Sequence, residues 1–338
     1  MPRPHVPRFG GTRMRSTMQH HRRSAGLLSA LAVTAALLAA AGPAAAGPAP
    51  GGADAAGADA VTMVNGAGSK ITIPVAAATS LRNASSAGSS GTATSDPTGA
   101  FKAGRAGPAT VAPPGVTQQV VGTDDRIQES VPGTYPWRAI VYLTTNQGQC
   151  TGFMMSRDVV VTAGHCVYNG GWVTSYTAVP GKVGGSNPYG SCGGGIADVW
   201  TNSTWISTGS ADADYGLVKL TCDIGNTVGW FGWWYSEGEN LTGTYLYVEG
   251  YPADKPFATM WWDSDPVSSQ SATRLFYSID TAGGQSGAPI YHYNSTVAGL
   301  CSGWCVTGIH KGATGGQNHG TRFNSTVLSF INYWISQP

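Results

Sequence analysis

The segment Thr281-Ala282-Gly283-Gly284-Gln285-Ser286-Gly287-Ala288-Pro289 places a serine in a glycine-flanked turn, directly before the apolar, strand-like run 289–293. Glycine adopts backbone conformations that are barred to other residues, and it lets another molecule approach the main chain closely. In such a turn the amides of Gly284 and Ser286 can point at one spot, where the oxyanion of an acyl-transfer reaction would lie. The turn therefore predicts an acyl-transfer site with Ser286 as nucleophile, provided that the chain also supplies a base.

The base that activates a serine is normally a histidine. Among the seven histidines, His165 is the candidate, because it follows the β-branched run 159–162 where a strand breaks into a loop at small residues. The alternative is a structural histidine at the end of a strand. Cys166 favours the catalytic interpretation, since a disulfide there would fix the histidine loop against a neighbouring strand.

The carboxylate that would orient this histidine is Asp214, which stands where Asp-Tyr-Gly leads into an apolar strand. Asp212 is the alternative, although it is more typical of an acid in a loop. The order His165, Asp214, Ser286 is one of the chain orders that build a Ser/His/Asp triad. The three residues together predict nucleophilic catalysis by that triad.

These motifs resemble those of a known family. Thr-Ala-Gly-His-Cys (162–166), Asp-Tyr-Gly (214–216) and Gly-Gly-Gln-Ser-Gly-Ala-Pro (283–289) look like the active-site motifs of chymotrypsin-fold serine proteases. From about Val120 to its C-terminus the chain is similar to the secreted bacterial glutamyl endopeptidases, namely the Bacillus enzyme and, more distantly, the staphylococcal V8 protease. Strings far from the triad also match, at 122–126, 224–229 and 250–252. The resemblance implies a serine endopeptidase.

The residues themselves predict an all-β domain. Short apolar runs separated by Gly, Ser and Asn turns suit an antiparallel sandwich or barrel. Only the segment 324–335 has helical periodicity, with a plausible Asn or Ser cap. The resemblance sharpens this to a chymotrypsin-like double six-stranded antiparallel β-barrel, joined around residues 225–240, with the triad in the cleft and a C-terminal helix. The predicted strand runs are 138–144, 151–162, 214–220, 244–250, 288–293 and 306–310.

Composition divides the chain into three parts. Residues 1–46 have a basic start, the apolar run 27–41 and small residues before position 47, which indicates a secretory signal peptide too short to span a membrane. Export by the general secretory route is favoured, and a twin-arginine signal at Arg22-Arg23 is the alternative. Residues 47–119 are rich in Ala, Gly, Ser, Thr and Pro, which predicts a largely disordered propeptide, with a plain linker as the alternative. Residues 120–338 are the predicted serine protease domain.

Charge follows the same division. Residues 1–119 contain 10 Lys and Arg against 3 Asp and Glu, whereas residues 120–338 contain 9 against 15. An acidic domain argues against nucleic acid or an anionic membrane as a partner. We therefore expect a secreted monomer that acts on protein or peptide substrates and needs no cofactor.

All six cysteines lie in the predicted protease domain, and an even number in an exported chain indicates disulfides. One pair is close enough to close a small loop, a second brackets a hairpin and matches the histidine-loop bridge of the family, and the third follows by elimination. A zinc site is the alternative, but no C-x₂-C pair occurs and the triad uses the nearest histidine, so no metal is expected. In that order the expected pairs are Cys301–Cys305, Cys150–Cys166 and Cys192–Cys222.

Two residues compete for the pocket that would recognise the residue before the scissile bond. Asp280 lies where a resemblance to trypsin would place the acid that binds Lys or Arg. His310 lies where glutamyl endopeptidases carry a histidine that binds the substrate carboxylate, and Thr281 matches a threonine beside it. A buried, unpaired Asp280 would disfavour a glutamate side chain, whereas a cationic His310 would disfavour lysine.

The overall similarity favours cleavage after Glu, less readily after Asp. The alternatives are tryptic specificity through Asp280, a purely structural His310, and a catalytically silent binding module on the same fold. Activation also departs from the trypsin pattern, because Gln285 stands where an aspartate would pair with the new N-terminal amine. The staphylococcal branch implies a substitute, in which cleavage near Gln119 gives Val120 an amine that helps to bind the substrate carboxylate.

Overall fold

The computed structural model describes residues 59–76, 85–86, 88–92, 117–236, 238–294, 301 and 303–338. The predicted signal peptide, residues 1–46, lies outside these ranges. Within them, no helix has the length and apolar character needed to cross a membrane.

Strands dominate the described residues, and short helical segments connect them. The helices are α1 (Ser203–Thr208), α2 (Gly225–Val228) and α3 (Ser325–Ser336), with 3₁₀ turns at Trp137–Ala139, Gly164–Cys166 and Ala211–Ala213. The strands are β1 (Ala60–Asn65), β2 (Lys70–Pro74), β3 (Ser85–Ser86), β4 (Ile127–Gln128), β5 (Ile140–Thr145), β6 (Gly148–Met154), β7 (Val159–Thr162), β8 (Ser175–Pro180), β9 (Cys192–Gly195), β10 (Val199–Asn202), β11 (Gly216–Lys219), β12 (Gly232–Trp234), β13 (Tyr245–Gly250), β14 (Trp261–Gln270), β15 (Arg274–Tyr277), β16 (Pro289–Asn294), β17 (Gly303–Thr314) and β18 (Gln317–Arg322).

The first sheet is antiparallel and runs β2-β1-β10-β11-β7-β6-β5-β8-β9. Its central strand β7 is buried along its whole length, because the valines of both faces pack against neighbouring strands. A run of β-branched residues without polar alternation is typical of such a strand. This sheet therefore gives the histidine turn that follows β7 a rigid support.

The second sheet closes into a six-stranded barrel in the order β16-β13-β14-β15-β18-β17, since β17 pairs back onto β16. Leu246, Val248, Leu275 and Ile290 are fully buried inside it. Strand β12, from the predicted junction 225–240, pairs in parallel with β17. The predicted all-β, chymotrypsin-like architecture with a C-terminal helix is confirmed.

Each run that the sequence predicts as a strand overlaps a strand of the structure. The run 151–162 forms two, β6 and β7, because Ser156-Arg157-Asp158 turns the chain between them. The predicted helix is α3, and the side chain of Asn324 caps it by accepting the Val327 N–H at 3.0 Å. The predicted runs leave out several strands, among them β14, whose aspartates and serines hide the alternation of a strand with both faces half-buried.

Residues 60–74 form a β-hairpin, so the expectation of a largely disordered propeptide does not hold for this part. Val61 and Met63 alternate along β1 and are 5% and 0% exposed. Together with the turn after Asn65, this alternation is a strand signal that the average composition of residues 47–119 conceals.

Candidate active site

His165 and Asp214 meet at the end of two paired strands. His165 lies in the 3₁₀ turn after β7, and Asp214 lies just before β11, which pairs with β7. His165 Nδ1 is 2.9 Å from Asp214 Oδ2, and the His165 backbone N–H donates to Asp214 Oδ1 at 2.8 Å. The alternative acid, Asp212, is bound elsewhere, since it accepts from Thr273 and pairs with Arg274. Asp214 can therefore fix the tautomer that leaves His165 Nε2 to act as a base.

Asp214 is completely buried, yet its surroundings keep it ionised. Burial raises the pKa of its carboxyl group, but the charge and hydrogen bonds of His165 and the charge of Lys311 outweigh that effect, so the pKa is lowered. Lys311 Nζ lies 3.5 Å from Asp214 Oδ2. The sequence analysis missed Lys311, although its position directly after His310 on the same strand was a signal.

The turn that carries Ser286 lies beside the histidine turn. Thr151 N–H donates to the Ser286 carbonyl at 2.8 Å, and Cys166 Sγ is 3.7 Å from the same oxygen. Gly284 has φ +99°, and a Cβ there would lie 2.5 Å from the Tyr251 carbonyl oxygen. A side chain is excluded at this position both by the backbone conformation and by space.

Gln285 closes the same turn from within. Its Oε1 accepts the Ala282 N–H at 2.9 Å, and its own N–H donates to the Ala282 carbonyl at 3.1 Å. Among the residues that the structure describes, the backbone N–H groups of Gly284 and Ser286 have no hydrogen-bond acceptor. These two amides are therefore free to donate to an oxyanion.

In this uncut chain Ser286 is engaged by the segment that precedes residue 120. Gln118 Nε2 donates to Ser286 Oγ at 2.6 Å, and Ser286 Oγ donates to the Lys311 carbonyl at 3.3 Å. His165 Nε2 has no hydrogen-bond partner within the described ranges. The carboxamide of Gln118 is therefore hydrogen-bonded to the hydroxyl of the serine that the triad would use. The sequence analysis did not single out Gln118.

His310 and Thr281 flank the Ser286 turn. Tyr277 Oη lies 2.6 Å from His310 Nδ1, and burial raises the pKa of the Tyr277 hydroxyl well above its usual range. The hydroxyl therefore keeps its proton and donates to Nδ1, which places the imidazole proton on Nε2. Both His310 Nε2 and Thr281 Oγ1 are buried without a hydrogen-bond partner among the described residues. A buried donor without a hydrogen-bond partner costs free energy. Both groups can donate to the oxygens of a carboxylate.

The uncomplexed protein does not carry the positive charge through which a cationic His310 would disfavour lysine. Burial lowers the pKa of His310 to about 3, and the charges of His319 and His165 add to the effect. The imidazole is therefore neutral at neutral pH. It can still donate a hydrogen bond from Nε2 to a substrate oxygen, but it supplies no fixed positive charge.

Asp280 does not stand unpaired in a pocket. Its Oδ1 accepts the Val121 N–H at 2.7 Å, and its Oδ2 accepts the Asp125 N–H at 2.9 Å. The residue is 2% exposed. Both of its oxygens thus hold the segment 121–125, unlike an acid that stands unpaired to bind the Lys or Arg side chain of a substrate.

The residues just before Val120 run along the end of β17. Ala313 N–H donates to the Thr117 carbonyl at 2.6 Å. The Gln119 carbonyl accepts from Asn318 Nδ2 at 2.7 Å and from Thr281 N–H at 3.2 Å. Because the nitrogen of Val120 is bonded to that carbonyl carbon, Val120 N lies beside Thr281.

The structure contains the three expected disulfides. Cys150–Cys166 ties β6 to the histidine turn, as expected for a bridge that fixes this loop. In the described part of the chain, Cys150, His165 and Cys166 are the one group close enough to share a metal ion. The two sulfurs of this group are bonded to each other, so neither offers a thiolate as a metal ligand.

Comparison with known proteins places these features in a family. The sequence model of the trypsin family matches residues 125–331. The glutamyl endopeptidase of Bacillus licheniformis is 39% identical over 223 residues, which is 64% of this chain and 69% of that protein. A Bacillus subtilis protein named extracellular metalloprotease is 38% identical over 227 residues, which is 64% of this chain and 70% of that protein. A solved structure of a Glu endopeptidase in complex with MPD matches with TM-score 0.57 and 28% identity, covering 64% of this chain and 100% of that chain.

Proposed function

Because the chain belongs to the trypsin family of serine endopeptidases, we propose that it is a secreted protease that cleaves peptide bonds after Glu, and less readily after Asp. It is made as an inactive precursor, with residues 1–46 as signal peptide, 47–119 as propeptide and 120–338 as protease domain. It acts on protein or peptide substrates as a monomer. The observation that carries the specificity is the pair of unpartnered buried donors, Thr281 Oγ1 and His310 Nε2, next to the Ser286 turn.

The proposed chemistry uses the triad. Ser286 Oγ attacks the scissile carbonyl, His165 Nε2 takes the proton and then gives it to the leaving amine, and Asp214 stabilises the imidazolium. The amides of Gly284 and Ser286 stabilise the oxyanion, and one such donor contributes about 3 kcal/mol to lowering the barrier. The 2.9 Å contact between His165 Nδ1 and Asp214 Oδ2 supports this assignment.

The specificity follows from which side chain satisfies the two donors. A glutamate carboxylate has two acceptor oxygens, whereas glutamine would place an amide group against one donor and lysine would offer donors only. Asp280 accepts hydrogen bonds from the backbone of Val121 and Asp125, which supports Glu specificity over a tryptic pocket. The Bacillus licheniformis relative and the matched solved structure are both named as Glu endopeptidases, which supports the same preference.

Activation is proposed to require a cut between Gln119 and Val120. The cut would create an ammonium group at Val120, beside the Thr281 amide that binds the Gln119 carbonyl at 3.2 Å. That charge would help to bind the substrate carboxylate, since the neutral His310 does not supply one. The cut would also free the Gln118 carboxamide to leave Ser286, which accounts for an inactive precursor.

The test is to compare kcat/KM of the matured protein on peptides that differ only in Glu, Gln, Asp or Lys before the scissile bond. We expect Glu to exceed Gln by at least about 100-fold, which corresponds to roughly 3 kcal/mol. A preference for Lys would overturn the assignment of the pocket while leaving the triad intact.

The nucleophile is tested with a matched pair of serine variants. Ser286→Ala should abolish cleavage, and Ser269→Ala, an exposed serine on β14, should leave it unchanged. If correctly matured protein cleaves none of the peptides, the catalytically silent binding module becomes the better description.

A further inference from the structure

The hairpin of β1 and β2 is built into the first sheet. Strand β1 pairs with β10 through Met63 opposite Asn202, Val64 opposite Thr201 and Asn65 opposite Trp200. On its other side β10 pairs with β11, so the hairpin covers what would otherwise be an edge strand. Exposed sheet edges present unpaired amides and carbonyls and are ready to pair with another strand.

Side chains of the hairpin extend this contact beyond the backbone. Met63 is 0% exposed and belongs to the hydrophobic core that the protease strands form. Asn65 Nδ2 donates to the Ala197 carbonyl at 2.9 Å, and Gly66 N–H donates to the Ile196 carbonyl at 3.2 Å. After β2, the Ala76 N–H donates to Ser329 Oγ on α3 at 2.9 Å. The hairpin therefore contacts both the edge of the sheet and the C-terminal helix.

A second stretch before residue 93 is anchored at a separate place. Ser89 and Trp230 exchange two backbone hydrogen bonds, at 2.9 and 2.8 Å. Thr92 N–H donates to the Asn226 carbonyl at 2.9 Å, and the Arg138 guanidinium donates to the Ser90 carbonyl. A Cβ at Gly91 would lie 2.4 Å from the Gly229 nitrogen, so the two backbones pack without room for a side chain.

We propose that residues 59–76 and 88–92 dock at two places, the edge of β10 and the residues 226–230 before β12, and that they stay bound there without a covalent link when the chain is cut after residue 92. With two anchors on one fragment, formation of the first contact makes the second one intramolecular, so the fragment binds more tightly than either contact would alone. The partner that fits this surface is therefore a β-hairpin with buried residues at the positions of Val61 and Met63. This inference does not depend on the proposed catalytic function.

The experiment uses the full chain with Ser286→Ala, so that self-cleavage plays no part, and with the recognition sequence of a site-specific protease inserted between residues 104 and 105. After complete cutting at that site, the sample is passed over a size-exclusion column at about 1 µM. We expect the N-terminal fragment to elute together with residues 105–338. Elution of the two pieces at separate volumes would overturn the proposal.

Two hairpin variants test whether β1 carries the binding. Met63→Asp places a charge at a fully buried position, and it should release the fragment after cutting. Thr72→Asp adds the same charge at an exposed position of β2, and its fragment should remain bound. If Met63→Asp impairs folding before the cut, the parent chain with Ser286→Ala and its Thr72→Asp variant still decide whether the fragment stays bound to residues 105–338. Retention of the Met63→Asp fragment would contradict docking through β1.

Discussion

The carboxylate of Asp280 accepts the backbone N–H of Val121 at 2.7 Å. Val121 is the second residue after the bond between Gln119 and Val120, where we propose that the chain is cut. The acid that a trypsin comparison would assign to substrate binding thus holds the start of the proposed protease domain. Through this contact Asp280 fixes where Val120 lies relative to Thr281. If the amine of Val120 binds the substrate carboxylate as proposed, Asp280 acts on specificity by positioning that amine.

Replacing this acid tests that role. Asp280→Asn turns one acceptor oxygen into a donor, so the amide of Val121 or of Asp125 loses its partner. Loss of one buried hydrogen bond costs about 1–3 kcal/mol. We expect a lower melting temperature and a lower kcat/KM for Glu peptides, with no change in cleavage after Lys. Asp223→Asn, at an exposed loop carboxylate, is the control. If the parent protein cleaves after Lys and Asp280→Asn does not, Asp280 instead binds the substrate side chain in the pocket.

The contact between Gln118 and Ser286 predicts how the uncut chain reacts. Gln118→Ala removes the 2.6 Å hydrogen bond to Ser286 Oγ, and a net hydrogen bond of about 1 kcal/mol corresponds to roughly a five-fold change. The initial rate of Ser286 labelling by a fluorescent phosphonate should rise by about that factor. The exposed Gln128→Ala on β4 should label like the parent. Equal rates for all three proteins would show that Gln118 does not shield the serine.

The source of positive charge in the pocket predicts the pH dependence of specificity. An α-amine has a pKa of about 7.7–8.0, and it is charged below that value. If Val120 supplies the charge, the ratio of kcat/KM for Glu over Gln should be flat from about pH 5 to 7 and fall as the pH rises through about 8. Using a ratio removes the pH dependence of the shared catalytic groups.

The same measurement distinguishes the Val120 amine from His310 as the source of the positive charge. Burial lowers the pKa of His310 to about 3, so it remains neutral across this range. The ratio for Gln over Ala peptides is the control and should not change with pH. A fall in the Glu over Gln ratio centred between about pH 6 and 7 would assign the charge to a histidine instead.

Two largely buried histidines, His292 and His319, predict that the folded protein becomes less stable in acid. Burial lowers the pKa of His292 to about 4, whereas the unfolded chain has an ordinary histidine pKa of 6.5. Between these values the unfolded state binds more protons, so stability falls as the pH decreases from about 6.5 toward 4, by up to about 1.4 kcal/mol per pH unit for one group. His319 has the same direction of shift, also to about 4.

His292 offers the cleanest variant, because it lies outside the proposed site and packs edge-on against Trp234. His292→Asn should reduce the slope of unfolding free energy against pH by about one proton between pH 4.5 and 6. Urea unfolding at several pH values gives this slope. An unchanged slope would mean that His292 already carries its proton in the folded protein.

Local sequence patterns predicted much of the architecture. The β-branched run before His165, the glycines around Ser286 and the cap at Asn324 each depend on residues adjacent in the chain, and backbone preference or short-range hydrogen bonding explains them. The same patterns singled out His165, Asp214 and Ser286, since each stands where a strand begins or ends. Cysteine spacing together with the family resemblance predicted the three disulfides that the structure contains.

Tertiary structure decided the features that join distant parts of the chain. The docking of Met63 onto β10, the use of Asp280 by Val121, the place of Gln118 on Ser286 and the proximity of Lys311 to Asp214 each link residues far apart in sequence. The neutral state of His310 is likewise decided by the tertiary structure. A pKa depends on desolvation and on nearby charges, and both are set only when the chain has folded.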